Sequence, residues 1–261
     1  MIRNRLRELM NTRPSVVGPF VTMTDSAIVE LVGLAGFEVV MIELEHAAIN
    51  LETLQNHLRA AAAHGLGVLV RVPSHDPKLI LRVLDAGADG VLVPHVGSAE
   101  VAREVASAVR YPPLGHRGMG GGARSAQYGA HGLSGVRELT EWLNANTVLA
   151  VMIEDATAVD SIEEIIRVPG IDIVHVGPSD LSASMGLVGT SEDPRLVAAV
   201  ERVQAATLAA GIRLGMPVEH GAYGRTAQQL REQGAWLLTC GSEAAFLLRA
   251  LRAAAEKMQS A

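Results

Sequence analysis

The chain has 261 residues, 49% of them apolar and 19% charged, with a net charge of −6 and one cysteine, Cys240. That balance supports a sizeable core. It excludes global disorder, a basic footprint for nucleic acid and an intramolecular disulfide framework. The N-terminus MIRNRLRELM interleaves Arg with apolar residues and so lacks the apolar stretch of a signal peptide. No run approaches the ~20 residues that span a bilayer. A cytoplasmic protein without nucleic-acid or membrane partners is expected.

Short Val- and Ile-rich runs predict buried parallel strands at 16–21, 39–43, 68–72, 90–94, 148–153, 171–176, 213–216 and 236–240. Helices fit 25–35, 50–64, 76–87, 98–110, 134–146, 156–167, 194–210, 221–233 and 243–258. Asp76-Pro77 and Asp193-Pro194 read as helix starts, with Pro at the first helical position. Gly36, Gly65, Gly87, Gly211 and Gly234 read as helix stops. Eight strand–helix repeats without a linker predict one α/β domain over 1–261, a (β/α)8 TIM barrel. A doubly wound sheet is the alternative, but the first strand lacks the Gly-rich dinucleotide turn. The irregular, Gly-rich segment 111–132 reads as an insertion or active-site lid, to which Arg117 or Arg124 adds charge.

Two carboxylates carry the chemical argument. Glu154 in VMIED and Asp180 in VHVGPSD each follow a strand on the side where barrels place their active sites. Such a pair can hold one hard divalent ion and leave its other positions to water and substrate. The strand period of two puts Met41, Glu43 and Glu45 on one face, and Met152 one layer beneath Glu154. Arg71 ends the third strand. Blander readings stand beside these: Glu154 as a loop acid, Asp180 as a helix cap, Arg71 as an ion pair with Glu43 or Glu45. Likewise His46 reads as a structural loop residue, Asp85 as a solvated helix-end acid and His175 as a core histidine.

The segments AGFEVVMIELEHAAIN, VLVRVP, LDAGADGVLVPHV, RYPPLGHRGMGGGARSAQYG, VMIEDATAVD and IDIVHVGPSDLSASMG occur in this order along nearly the whole chain. Together they resemble the HpcH/HpaI aldolases, the metal-dependent pyruvate aldolases. The resemblance implies a barrel whose last helix is exchanged between subunits, in a hexamer built as a trimer of dimers. It implies a divalent ion (Mg, Mn or Co) on Glu154 and Asp180, and His46 as the acid–base residue. Asp85 becomes the partner of His46 across a subunit interface. Arg71 becomes the contact to the keto or enolate oxygen, and the backbone around Ser179, Asp180 and Pro217 the pyruvyl carboxylate site. The implied reaction cleaves a 4-hydroxy-2-oxo acid or 2-keto-3-deoxy sugar acid to pyruvate and an aldehyde. Neither Lys78 nor Lys257 lies at a strand end, so no Schiff-base lysine is offered. Glu43 replaces a more usual Asp, Met152 a usual Gln, and His175 an often apolar residue. These departures leave open a related pyruvyl or oxaloacetate-type lyase or hydrolase, and a non-catalytic metabolite-binding barrel.

Overall fold

The computed structural model describes residues 3–130, 132 and 135–259. The predicted helix start at 134 and residue 131 of the insertion lie outside them. Eight parallel strands pair in chain order and close into a barrel: β1 (Val16–Val21), β2 (Val39–Glu43), β3 (Gly67–Arg71), β4 (Gly90–Val93), β5 (Val148–Ile153), β6 (Ile173–Val176), β7 (Arg213–Pro217) and β8 (Ala235–Ser242). The helices are α1 (Arg5–Thr12), α2 (Ala27–Leu34), α3 (Leu51–Ala63), α4 (Pro77–Asp85), α5 (Ala99–Val109), α6 (Val136–Asn146), α7 (Ala156–Asp160), α8 (Ile162–Ile165), α9 (Pro178–Ser184), α10 (Pro194–Ala209), α11 (Ala227–Glu232) and α12 (Glu243–Gln259).

Both faces of each strand are apolar because both are covered. Met41, Leu69, Leu92, Ala150, Met152 and Ile173 fill the barrel, while Val40, Val70, Val91, Val151 and Val174 face the helices. Each such side chain contributes about 1.5–3 kcal/mol on burial. The strand-period prediction for Met41, Glu43 and Met152 therefore holds.

The N-terminal helix α1 was not foreseen, and it plugs the lower end of the barrel. Leu6, Leu9 and Met10 join the interior cluster, and the bare Cα of Gly67 lets Leu6 approach; a Cβ there would lie 3.1 Å from the Leu6 Cα. The Asn4 side chain caps α1 by accepting from the Arg7 N–H. Asp89 ties the plug to the barrel, its Oδ2 accepting from the Leu6 N–H at 3.2 Å and the Val68 N–H at 3.0 Å.

Three further departures bear on the site. The predicted 221–233 helix is confined to α11, which starts at a capping box between Thr226 and Gln229; residues 218–226 form a rim loop instead. The segment after β6 forms the short helix α9 behind Pro178, so Asp180 sits inside a helix rather than capping it. The predicted 156–167 helix breaks at Ser161, which ends α7 and begins α8. At the C-terminus α12 runs as predicted, yet within it only Glu243 is buried. Glu243 anchors the helix by accepting from the Thr22 and Met23 N–H groups, both at 2.6 Å. Leu247, Leu248 and Leu251 stay exposed.

Candidate active site

The strands end at the same mouth, and a cavity of about 350 Å³ opens there, lined by Arg71, Met152, Glu154, Ser179, Asp180, Pro217 and His220 among others. The lower end holds a cavity lined by Arg3, Arg5, Asp89 and Arg124. There Arg3 pairs with Glu8 and Arg124 donates to the Ala86, Gly87 and Leu58 carbonyls, so those cations are already matched. The mouth is where unmatched chemistry collects.

Glu43 organises one side of it. Its Oε2 pairs with Arg71, whose Nε lies 2.6 Å away and whose Nη2 closes a second contact. Its Oε1 accepts from the Glu45 N–H at 2.6 Å and the His46 N–H at 3.0 Å. One buried carboxylate thus orients the guanidinium and folds the following loop over the mouth. Glu45 adds a second partner 3.3 Å from the Arg71 Nε, and the Phe20 ring lies 5.0 Å from the guanidinium carbon. The ion-pair reading of Arg71 is therefore correct, and it coexists with a place in the cavity: Nη1 points along the barrel axis side toward the Met152 sulfur, 3.9 Å away.

Glu154 leaves β5 fully buried. Gly177 makes room for it, since a Cβ at 177 would lie 2.7 Å from the Glu154 Oε2. Its Oε1 accepts from the His95 N–H at 2.8 Å. Burial, seconded by the Asp180 and Glu45 charges, pushes the Glu154 carboxyl up to about 7, against the opposing His95 contacts. Burial also raises Glu45, despite the nearby Arg71. His95 moves upward too: burial alone would lower it, but Glu154, Asp155 and Glu45 together outweigh that. Neighbouring carboxylates raise both groups, behind burial at Glu154 and against it at His95, and with Arg71 taken up by Glu43 and Glu45 the pocket is short of free positive charge.

That shortage is the test of fit for a cation. Glu154 and Asp180 present hard oxygen donors to one cavity, with Arg71 committed to Glu43 and Glu45. Oxygen donors of this kind suit Mg, Mn or Co. Among the described residues no group of three or more His, Cys, Asp or Glu forms a ready-made protein cage. A two-carboxylate site that leaves positions to water and substrate agrees with that.

His46 stands at the mouth with its side chain 65% exposed, its Nε2 3.7 Å from Glu45. Ser179 and Pro217 line the cavity. Asp85 does not join them. It ends α4, which runs back from the mouth, and pairs with Arg117 at 2.8 Å. Arg117 in turn stacks over Tyr111 at 4.6 Å. No described residue of 111–132 lines this cavity, so the insertion does not lie over its own barrel mouth, and Arg117 and Arg124 bring no charge to it.

Three contributors escaped the sequence reading, His95, Thr239 and His220, whereas Glu45 as an Arg71 partner was among the readings offered. His95 takes a left-handed φ of 50°, an uncommon cost for a non-glycine residue, and nothing in VPHVG signals it. His220 had a usable signal, because the T-x-x-Q capping pattern at 226–229 frees 218–226 to be a loop. His175 is a core histidine, fully buried beneath the cavity with its Nε2 3.3 Å from the Thr239 hydroxyl, while its buried Nδ1 finds no partner among the described residues. Gly215 admits its ring, since a Cβ there would lie 2.7 Å from the His175 Cδ2.

Residues 17–250 match the family model described as HpcH/HpaI aldolase/citrate lyase. A hydroxypyruvate/pyruvate aldolase of Agrobacterium fabrum is 32% identical over 250 residues, covering 96% of this chain and 91% of its own. A 2-keto-3-deoxy-L-rhamnonate aldolase of Shigella sonnei is 35% identical, covering 81% of this chain and 79% of its own. Among solved structures, an HpcH/HpaI aldolase/citrate lyase family protein from Burkholderia cenocepacia superposes with a TM-score of 0.89 at 32% identity, covering 98% of this chain and 100% of that one.

Proposed function

Because the chain belongs to the HpcH/HpaI aldolase/citrate lyase family, we propose that it is a metal-dependent pyruvate aldolase. It reversibly cleaves a 4-hydroxy-2-oxo acid, or a 2-keto-3-deoxy sugar acid, to pyruvate and an aldehyde. One observation carries the reading: Glu154, Asp180, Arg71 and His46 converge on one cavity at the barrel mouth, where Arg71 is already paired with Glu43 and Glu45. The aldolase activities of the two relatives point the same way.

Glu154 and Asp180 would hold a divalent ion, Mg, Mn or Co, which supplies a Lewis acid for the charge developing on the substrate. Arg71 donates through Nη1 to the C2 keto oxygen. Glu43 and Glu45 hold the guanidinium so that no reorganisation is needed as charge builds there. The Ser179–Asp180 backbone and the Pro217 turn seat the C1 carboxylate. His46 accepts the C4 hydroxyl proton, the C3–C4 bond breaks toward C3 as the aldehyde forms, and a proton returned to C3 completes pyruvate. Exposure suits His46 to this exchange, because an imidazole at the mouth can pass the proton on to solvent.

The insertion, Asp85 and α12 take their roles in an assembly. The exposed Leu247, Leu248 and Leu251 support exchange of α12 between subunits, and Asp85, remote from its own His46, would serve the His46 of an adjacent subunit. A hexamer built as a trimer of dimers follows from the resemblance, and sedimentation equilibrium tests it. No helix among the described residues is long and apolar enough to cross a membrane. The activity itself is tested by pyruvate release from a 4-hydroxy-2-oxo acid with added Mn and with chelator. Metal-dependent release supports it; release only from oxaloacetate would favour the decarboxylating relative.

A further inference from the structure

The rim loop 218–226 is held in one shape. Glu192 accepts from the Gly224 N–H at 2.6 Å and pairs with Arg225 at 2.8 Å. Arg225 stacks over Tyr223 at 4.4 Å, and Tyr223 is fully buried beneath the loop. The frame presents one side chain to the cavity, His220.

The tautomer of His220 follows from its two contacts. Nδ1 accepts from the Ala222 N–H at 3.1 Å, so in the neutral ring the proton sits on Nε2. Burial favours that neutral form by lowering the His220 pKa. Nε2 lies 2.9 Å from the Ser179 Oγ, so the imidazole donates and the hydroxyl accepts. An accepting hydroxyl must aim its own proton elsewhere, and Ser179 is exposed at the cavity rim. The rim therefore carries an oriented O–H donor, outward of the buried Glu154 and the largely buried Arg71 that face the pyruvyl unit.

We propose that His220 is a positioning residue that aims the Ser179 hydroxyl proton at an acceptor oxygen on the aldehyde half of the substrate, so that the pair selects α-hydroxyaldehydes over their deoxy analogues. This rests on the aldolase reading above. Because Ser179 is exposed, water can pair its hydroxyl when the substrate does not, so an analogue lacking the oxygen forfeits about the net worth of one hydrogen bond.

The test measures kcat/KM for aldol addition of pyruvate to glycolaldehyde and to acetaldehyde, with Mn present. Ser179→Ala should lower the glycolaldehyde/acetaldehyde ratio by up to about tenfold, the net worth of one hydrogen bond, and His220→Ala should lower it comparably. The double variant should fall no further, because both changes remove one interaction. His220→Gln, which can still offer an N–H near the Nε2 position, should restore part of the ratio. Multiplicative losses in the double variant, or an unchanged ratio in His220→Ala, would overturn the proposal. A second readout needs no turnover: ¹⁵N-edited spectra should show His220 protonated at Nε2 only, and an Nδ1-protonated ring would also overturn it. Failure of the aldolase reading looks different, as the wild type would then add pyruvate to neither aldehyde while the tautomer stayed as described.

Discussion

His175 makes an acid-stability prediction that needs no substrate. Burial, with the Arg71 charge above it, holds the ring down to about 3 from an ordinary 6.5. Between those values the unfolded chain binds a proton that the folded chain refuses, so stability falls as pH drops from 6.5 toward 3 and is fully present above 6.5. About 3.5 pH units at ~1.36 kcal/mol each give an upper limit near 5 kcal/mol; local opening that wets the ring would lessen it. Asp89 works in the opposite sense. Burial raises it from 3.8 to about 6 against its backbone donors, so its contribution is present below 3.8 and is lost as pH rises through 6. That span amounts to ~3 kcal/mol, and the two slopes largely offset each other between pH 4 and 6. His175→Leu removes one of them. Urea midpoints at fixed protomer concentration, taken every half unit from pH 4 to 7, should show the variant losing less stability on acidification than the wild type. The difference between the two should change by up to ~1.4 kcal/mol per pH unit. Parallel curves for the two proteins would refute the burial argument for His175.

Asp89→Asn keeps an acceptor for the Leu6 and Val68 N–H groups, with Arg5 as a third backbone donor at the site, and removes the titrating group, so it should flatten the curve between pH 4 and 6; an unchanged slope there would contradict this. Glu154→Gln should leave the chelated protein at least as thermostable as the wild type above pH 7, where the buried carboxylate is charged, while abolishing the rise in Tm that Mn produces. An unaltered Mn-induced rise would remove Glu154 from the ligand set. His46→Ala should slow aldol cleavage ~100- to 10,000-fold and affect pyruvate proton exchange less; equal losses in both assays would remove His46 from the base role.

Much of the barrel was legible because each strand is an apolar run bounded by a turn, and three strands, at 16–21, 39–43 and 148–153, have the predicted bounds. The period of two likewise places Glu43 and Met152 inward, as the barrel has them. What stayed hidden depends on contacts across the chain. The Glu43–Arg71 pair was among the readings offered, but no spacing encodes that the same Glu43 also accepts from the backbone of its own loop. His95 reaches Glu154 only through a left-handed turn at a non-glycine residue. Asp85 lies at the lower end of the barrel because α4 runs antiparallel to its strand, a consequence of topology that a linear motif does not display. The loop 218–226 was missed for a different reason: its apolar residues fit a helix period, and the capping box at Thr226 outweighed them.

The central claim is that the barrel mouth stabilises a pyruvate enolate with a divalent ion on Glu154 and Asp180. Hydrogen–deuterium exchange at the pyruvate methyl group, followed by NMR in D₂O, addresses it without any assumption about the aldehyde. The account predicts exchange with Mg, Mn or Co that stops on chelation and is lost in Asp180→Asn. Exchange that persists in chelator, or that never occurs with any of the three ions, would contradict it.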